Sequence, residues 1–401
     1  MTLTRKRCPR WAGALTAAIT AAVLSAVTLP AHAAPPQGRI LGAGEPGAVT
    51  GSYIVTLKGG TKAPSDTGKG LAEKYGAKIR HTYSTALNGY AVRAGEAQAR
   101  RLAADPSVAA VVQDSRVSLD RTQKNPPSWG LDRIDRSDLP LDNSYTWPKS
   151  AGSGVTAYVI DTGIRISHRD FGGRARYGWD FVDGDATAQD GNGHGTHVAG
   201  TVAGSGHGVA KKADVVAVRV LDDAGSGTTA QVIAGIDWVT KHARKPAVAN
   251  LSLGGHANVQ LDAAVRGSIA SGVTYTVAAG NDGLPASLSS PARVKEAITV
   301  GATDRTDRRA DFSNWGTRLD LFAPGVDITS ASNASDTGKA TYSGTSMASP
   351  HAAGAAALYL SDHTSATPAE VSRALTRRAA TGRVTDTLPG SPNKLLQVNN
   401  P

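Results

Sequence analysis

Five short runs of Val, Ile and Ala constrain this 401-residue chain more than any other feature: residues 155–160, 215–220, 248–253, 273–278 and 298–301. None alternates apolar with polar positions, so each reads as a strand covered on both faces. Between them, residues 194–203, 229–242, 261–271 and 347–360 carry apolar side chains at helical spacing. Strands alternating with helices predict an α/β domain: a parallel sheet with helices on both faces and a site at the carboxyl ends of the strands. A final helix has a legible start, with Thr367 as cap, Pro368 at the first position and Glu370 closing a capping box.

The first 120 residues read differently. Arg5, Lys6 and Arg7 precede an apolar stretch over 12–29, and Ala31-His32-Ala33 is a small-x-small cleavage site. Thr16, Thr20, Ser25 and Thr28 dilute the stretch, so residues 1–33 read as an export leader rather than a membrane anchor. A linker rich in Pro, Gly and Ala occupies 34–51. Strands at 52–58, 79–82, 89–92 and 108–112, with helices at 68–75 and 95–104, follow in the order β-α-β-β-α-β. That order predicts a small α+β ferredoxin-like domain over 52–120. Residues 119–128, with Pro126-Pro127, read as an exposed polar connector of the kind that is cut, and the large domain spans 121–401.

The formal net charge of +10 and pI near 9.7 invite a polyanion-binding reading. Residues 1–34 carry four basic and no acidic side chains, and 35–120 carry eleven against seven. The remaining 281 residues hold 28 against 26, so the large domain offers no basic surplus to a nucleic acid. Neither a nucleic-acid partner nor, once the leader is gone, a membrane is expected, and the mature protein should be a monomer. The sole cysteine, Cys8, departs with the leader. Stability must then come without disulfides, from core size, bound ions or both.

Three stretches fall where the predicted sheet would put a site. Val159-Ile160-Asp161-Thr162-Gly163 ends a strand in an aspartate and a tight turn. Gly191-Asn192-Gly193-His194-Gly195-Thr196-His197 and Gly344-Thr345-Ser346-Met347-Ala348-Ser349-Pro350 each open a helix, one with a histidine and one with a serine. A serine hydroxyl attacks only when an imidazole takes its proton, and the imidazole needs a carboxylate to fix its tautomer and stabilise its charge. A serine at a helix N-terminus also lies beside free backbone N–H groups that can receive an oxyanion.

Together, in the order Asp, His, Ser, these stretches resemble the subtilisin-like serine proteases, and among them the proteinase K and aqualysin branch. The resemblance runs through leader, inhibitor-like prodomain and catalytic domain, from Ser128-Trp129-Gly130-Leu131-Asp132-Arg133-Ile134-Asp135 to Ser391-Pro392-Asn393-Lys394-Leu395-Leu396. It implies a subtilisin-like fold and a secreted, broadly specific endopeptidase with Asp161, His194 and Ser346 as its triad. Ala278-Ala279-Gly280-Asn281 matches the family's oxyanion stretch and makes Asn281 the side-chain donor, although before Asp282-Gly283 it also reads as a turn residue.

The resemblance further implies a cleft with Ser252, Leu253 and Gly254 on one wall and Gly225, Ser226 and Gly227 on the other. Substrate would bind as an added strand. Ala278, Ala279 and Gly280 are small and uncharged, which suits a roomy apolar pocket. Thr229 stands where many relatives have a tyrosine lid, so outer-subsite selectivity does not carry over. In that branch a calcium ion sits on an aspartate at the place of Asp320, with carbonyls aligned with Lys295 and Ala297; oxygen-only ligation suits calcium. Asp132 and Asp135, and the group Asp183, Asp185 and Asp190, are further calcium candidates or else solvated carboxylates. A zinc site on His194, His197 and Asp161 lacks the intervening glutamate of a His-Glu-x-x-His metalloprotease, and His197 reads as a packed helix residue. The prodomain is expected to act as an intramolecular inhibitor, released by the enzyme's own cut between Leu119 and Thr122.

Overall fold

The structure is a computed structural model, and it describes residues 37–44, 48–115 and 121–398. The leader and Cys8 lie outside the described residues. Two compact units divide the chain, one ending at Arg116 and the other starting at Val117.

The first unit contains β1 (Ile40–Leu41), β2 (Ala48–Leu57), α1 (Asp66–Lys74), β3 (Lys78–Tyr83), β4 (Gly89–Arg93), α2 (Glu96–Ala103) and β5 (Val108–Ser115). The sheet order is β1-β5-β2-β4-β3, antiparallel except for the β1–β5 pair. The expected β-α-β-β-α-β order is present. The linker reading is corrected at two points, because Ile40 and Leu41 add a fifth strand and β2 already begins at Ala48. Tyr53, Val55 and Leu57 alternate inward from β2 onto Leu71 of α1 and Leu102 of α2, forming a core of its own.

The second unit opens with β6 (Arg121–Lys124), α3 (Trp129–Ile134), β7 (Ser144–Trp147), β8 (Thr156–Asp161) and β9 (Ala175–Asp180). Next come α4 (His194–Ala203), β10 (Asp214–Arg219), α5 (Thr229–His242), β11 (Ala247–Leu251), β12 (Gly255–His256), α6 (Val259–Ala270) and β13 (Thr274–Ala278). The rest is β14 (Ser289–Ser290), β15 (Ile298–Thr303), β16 (Leu321–Pro324), β17 (Ile328–Ala331), β18 (Lys339–Tyr342), α7 (Thr345–Asp362), α8 (Pro368–Arg378), β19 (Ala380–Thr381) and β20 (Lys394–Leu395). Nine strands make one sheet in the order β19-β20-β16-β15-β13-β11-β8-β10-β9, parallel except for the β19–β20 pair.

The unbroken apolar runs are explained by two cores. Ala157 and Val159 of β8 and Val215 and Ala217 of β10 point to the core that holds α4 and α7. Their neighbours Tyr158, Ile160, Val216 and Val218 point to the core that holds α5 and α6. Alternate positions of a central strand therefore both meet apolar cores, and most of them are apolar. The connector is corrected as well: Arg121–Lys124 is a strand, paired antiparallel with β7, and Gln123 donates to the Gly206 carbonyl at 3.1 Å. Arg133 of α3 is fully buried on Asp307, through bonds of 2.6 and 2.8 Å, a pair whose breaking costs roughly 3–5 kcal/mol.

Candidate active site

The carboxyl end of β8 delivers Asp161, wholly buried, between β10 and β11. Its Oδ1 accepts from the Thr162 N–H at 2.8 Å and from His194 Nδ1 at 2.7 Å, while Oδ2 has no hydrogen-bond partner among the described residues. A carboxylate held this way fixes the imidazole tautomer with Nδ1 protonated, leaving Nε2 as the basic nitrogen. Burial pushes His194 towards its neutral form, but Asp161, through charge and hydrogen bond, and the charge of Asp190 outweigh it. The net result is a pKa above the usual imidazole value.

Asp190 does more than add charge. It is 3% exposed and accepts five hydrogen bonds: from Thr162 Oγ1, the N–H groups of Asn192, Gly193 and Thr196, and Thr196 Oγ1. Thr162 Oγ1 in turn accepts from the Gly195 N–H at 2.9 Å. The aspartate thus caps α4 and binds its first turn to the end of β8. Gly195 must be a glycine here, since a Cβ would lie 2.2 Å from the Gly163 carbonyl oxygen.

Ser346 is the second residue of α7, so its N–H has no helical acceptor. Its hydroxyl donates to the Ser252 carbonyl at 3.1 Å, and among the described residues no hydrogen bond joins it to His194. Such contacts commonly tighten only when substrate arrives. Asn281 Oδ1 accepts from both the N–H and the hydroxyl of Thr345, at 2.9 and 2.8 Å, and among the described residues no hydrogen bond engages its Nδ2. A Cβ on Gly344 would sit 3.5 Å from Asn281 Nδ2 and 3.6 Å from the Ser346 nitrogen, so both donors border one small space beside the serine. An oxyanion placed there would meet two N–H donors.

A cavity of about 540 Å³ opens beside Ser346, lined by Leu253, Gly254, Ala278, Ala279, Gly280 and Asn281, with Gly255, His256, Leu284 and Leu288 among the others. Leu284 and Leu288, 50% and 56% exposed, had no sequence signal beyond being apolar in a loop. Ser252 adjoins the serine directly, its Oγ donating to the Ser346 carbonyl at 2.7 Å. Gly225, Ser226 and Gly227 do not line that cavity. They form the exposed loop before α5, tethered where Asn192 Nδ2 meets the Asp223 carbonyl and Arg219 pairs with Asp223 at 2.8 Å. Thr229 is the first residue of α5, behind the cap Thr228.

His197 is buried, its Nε2 on the Ile328 carbonyl and its ring stacked on Tyr342; burial drives its pKa down to about 4. Asp320 is mostly buried, which raises its pKa to about 6. Its Oδ2 accepts from the Thr299 N–H at 2.8 Å, and its Oδ1 takes no hydrogen bond among the described residues. Lys295 and Ala297 lie in the turn leading into β15, just before Thr299. A carboxylate oxygen with spare lone pairs, on a residue bonded to Thr299 in the strand that follows Lys295 and Ala297, suits an oxygen-ligated cation.

The other candidate carboxylates also accept from the protein, and among the described residues the buried Asp135 Oδ1 has no hydrogen-bond partner. Asp132 accepts from the N–H groups of Asp142 and Asn143, and Asp135 from that of Thr146; burial raises Asp135 to about 7. Asp183 pairs with Arg219, and Asp185 accepts from Thr187. Among the described residues no group of three or more His, Cys, Asp or Glu is placed to hold a metal ion.

An acid-imidazole pair and a helix-start serine, at the carboxyl edge of a parallel sheet, define a serine-hydrolase type of site. Comparison with known families narrows the class: residues 152–396 match the subtilase family and residues 52–120 the peptidase inhibitor I9 family. The chain belongs to the subtilase family of serine endopeptidases, with an I9-type prodomain ahead of its catalytic domain. It is 48% identical over 395 residues to an extracellular serine proteinase of Thermus sp. (strain Rt41A), covering 93% of this chain and 96% of that one. Against alkaline serine exoprotease A of Vibrio alginolyticus the identity is 51% over 80% of this chain and 60% of the relative. A crystal structure of a cold adapted subtilisin-like serine proteinase superposes with TM-score 0.66 at 54% identity, covering 67% of this chain and 97% of the other.

Proposed function

We propose that the protein is a secreted, self-processing endopeptidase that cuts proteins with broad, apolar-leaning specificity through Asp161, His194 and Ser346. The observations that carry this reading are the hydrogen bond of His194 to Asp161 and a serine whose helix-start N–H and the Asn281 amide border one space. Ser346 Oγ attacks the scissile carbonyl while His194 Nε2 takes its proton, and Asp161 stabilises the resulting imidazolium. Asn281 Nδ2 and the Ser346 N–H receive the oxyanion. His194 then gives its proton to the leaving amine, and water releases the acyl group by the same steps in reverse. Removing the Asn281 donor would be expected to cost about 10²–10³ in turnover.

Small uncharged Ala278, Ala279 and Gly280, with the exposed leucines 284 and 288, support a preference for large apolar side chains before the cut. A structural calcium ion at Asp320, completed by the carbonyls of Lys295 and Ala297, belongs to the same reading, as does an inhibitory prodomain freed by a cut between Leu119 and Thr122. Residues 116–120 lie outside the described residues, and the strand β6 starts just beyond them. Digestion of a denatured protein, with the cut bonds mapped by mass spectrometry, tests the specificity. Leu, Phe, Tyr and Met should dominate the position before the cut; dominance of Lys and Arg, or of Asp and Glu, would overturn it.

A further inference from the structure

One polar residue interrupts the apolar strand β11: Asn250, within Ala247–Leu251, 1% exposed. A buried amide is costly unless satisfied, and this one is satisfied in a particular direction. Its Nδ2 lies 2.8 Å from Ser252 Oγ, and its Oδ1 accepts from Thr276 Oγ1 at 3.0 Å and Ser349 Oγ at 2.7 Å. Ser252 Oγ spends its only proton on the Ser346 carbonyl, at 2.7 Å. It can therefore only accept from Asn250, which fixes the amide with nitrogen towards Ser252.

The free carbonyl at the far end of this relay has its own cause. In an α-helix the Ser346 carbonyl would accept from the N–H of residue 350. Residue 350 is Pro350, inside the 18-residue helix α7, and it has no N–H to give. A proline at this depth normally weakens a helix; here it vacates the one acceptor that Ser252 fills. Meanwhile Asn281 Oδ1 holds the preceding residue, Thr345, by N–H and hydroxyl. Ser346 is thus gripped on both sides.

We propose that Asn250 is a positioning residue for catalysis: anchored by Thr276 on β13 and Ser349 on α7, it uses Ser252 as an arm to fix the main chain of Ser346, in the opening that Pro350 leaves. The proposal rests on Ser346 being the nucleophile. Asn250 touches no substrate and carries no proton in the reaction. Its effect is on where the hydroxyl and the oxyanion-binding N–H stand when substrate arrives, and a misplacement of about 1 Å costs on the order of 10² in rate.

The test is a double-mutant cycle on the full chain, with Asn250→Ala, Ser252→Ala and both together. It reads kcat, KM and the rate of fluorophosphonate labelling of Ser346, at temperatures well below each variant's unfolding. The expected result is a fall of about 10–100-fold in kcat and labelling for either single variant, little change in KM, and a double variant no worse than the worse single. Unchanged kcat and labelling in a merely less stable Asn250→Ala protein would overturn the proposal, and so would fully additive losses. If Asn250→Ala does not fold, Ser252→Ala decides alone, because it cuts the relay at the next atom and spares Asn250's other partners. Unlabelled Ser346 in the unaltered enzyme would remove the parent reading, and this one with it.

Discussion

His194 stands between opposed influences. Burial disfavours its charged form, Asp161 and Asp190 favour it, and the carboxylates prevail, so its pKa lies above the ordinary value. A general base works only when neutral, so activity is lost as pH falls through that raised pKa. The acid limb of kcat/KM should therefore have its midpoint above about 6.5. Asp161→Asn should move the limb lower and cut turnover by about 10⁴. A limb that stays put in Asp161→Asn would mean that another group titrates. Asp161, His194 and Ser346 stand out in the sequence as candidates because their chemistry demands particular residue types beside glycines and element ends, and Asn281 stands out through its likeness to a family stretch. Asp190 and Asn250 could not. Asp190 sits near Asp183 and Asp185, and in sequence looks like one more loop carboxylate; only the fold brings Thr162 and Thr196 onto it. Asn250 looks like a blemish in an apolar run until Ser252, Thr276 and Ser349 close around it.

Elements buried on both faces were the legible ones, because burial writes itself into every position. Helices 194–203 and 229–242 were placed from spacing at the bounds the structure shows, and the Thr367 capping box is formed as expected. Strands whose pairing is a backbone matter left little trace. Arg121–Lys124 has no apolar residue, and β17 with β18 forms an exposed-edged hairpin. The seam between β15 and β16 is where a calcium ion would act, since Asp320 precedes one strand and grips Thr299 of the other. Calcium at about a hundred times its Kd should raise Tm by on the order of 5–10 °C over chelated protein, and Asp320→Asn should abolish the difference. An identical Tm with calcium and with chelator would remove the ion from the account.

For the whole molecule, the order of units matters more than any one contact. An I9-type domain precedes the protease domain, and β6, which begins inside the expected cut window, is paired with β7. If the proposed cut falls there, that pairing would hold most of the new N-terminal segment in place. Large sheets with distant strand pairings fold slowly, which would give the prodomain a folding role beside the proposed inhibition. Ser346→Ala should accumulate as uncut precursor; normal maturation of that variant would assign the cut to another protease.

The most direct test of the central claim is a fluorophosphonate adduct, mapped by peptide mass after incubation with the processed protein. The account predicts an adduct on Ser346 that disappears in His194→Ala, because only an imidazole-activated serine reacts at a useful rate. A folded, processed protein that gains no adduct, or gains one elsewhere, would contradict it.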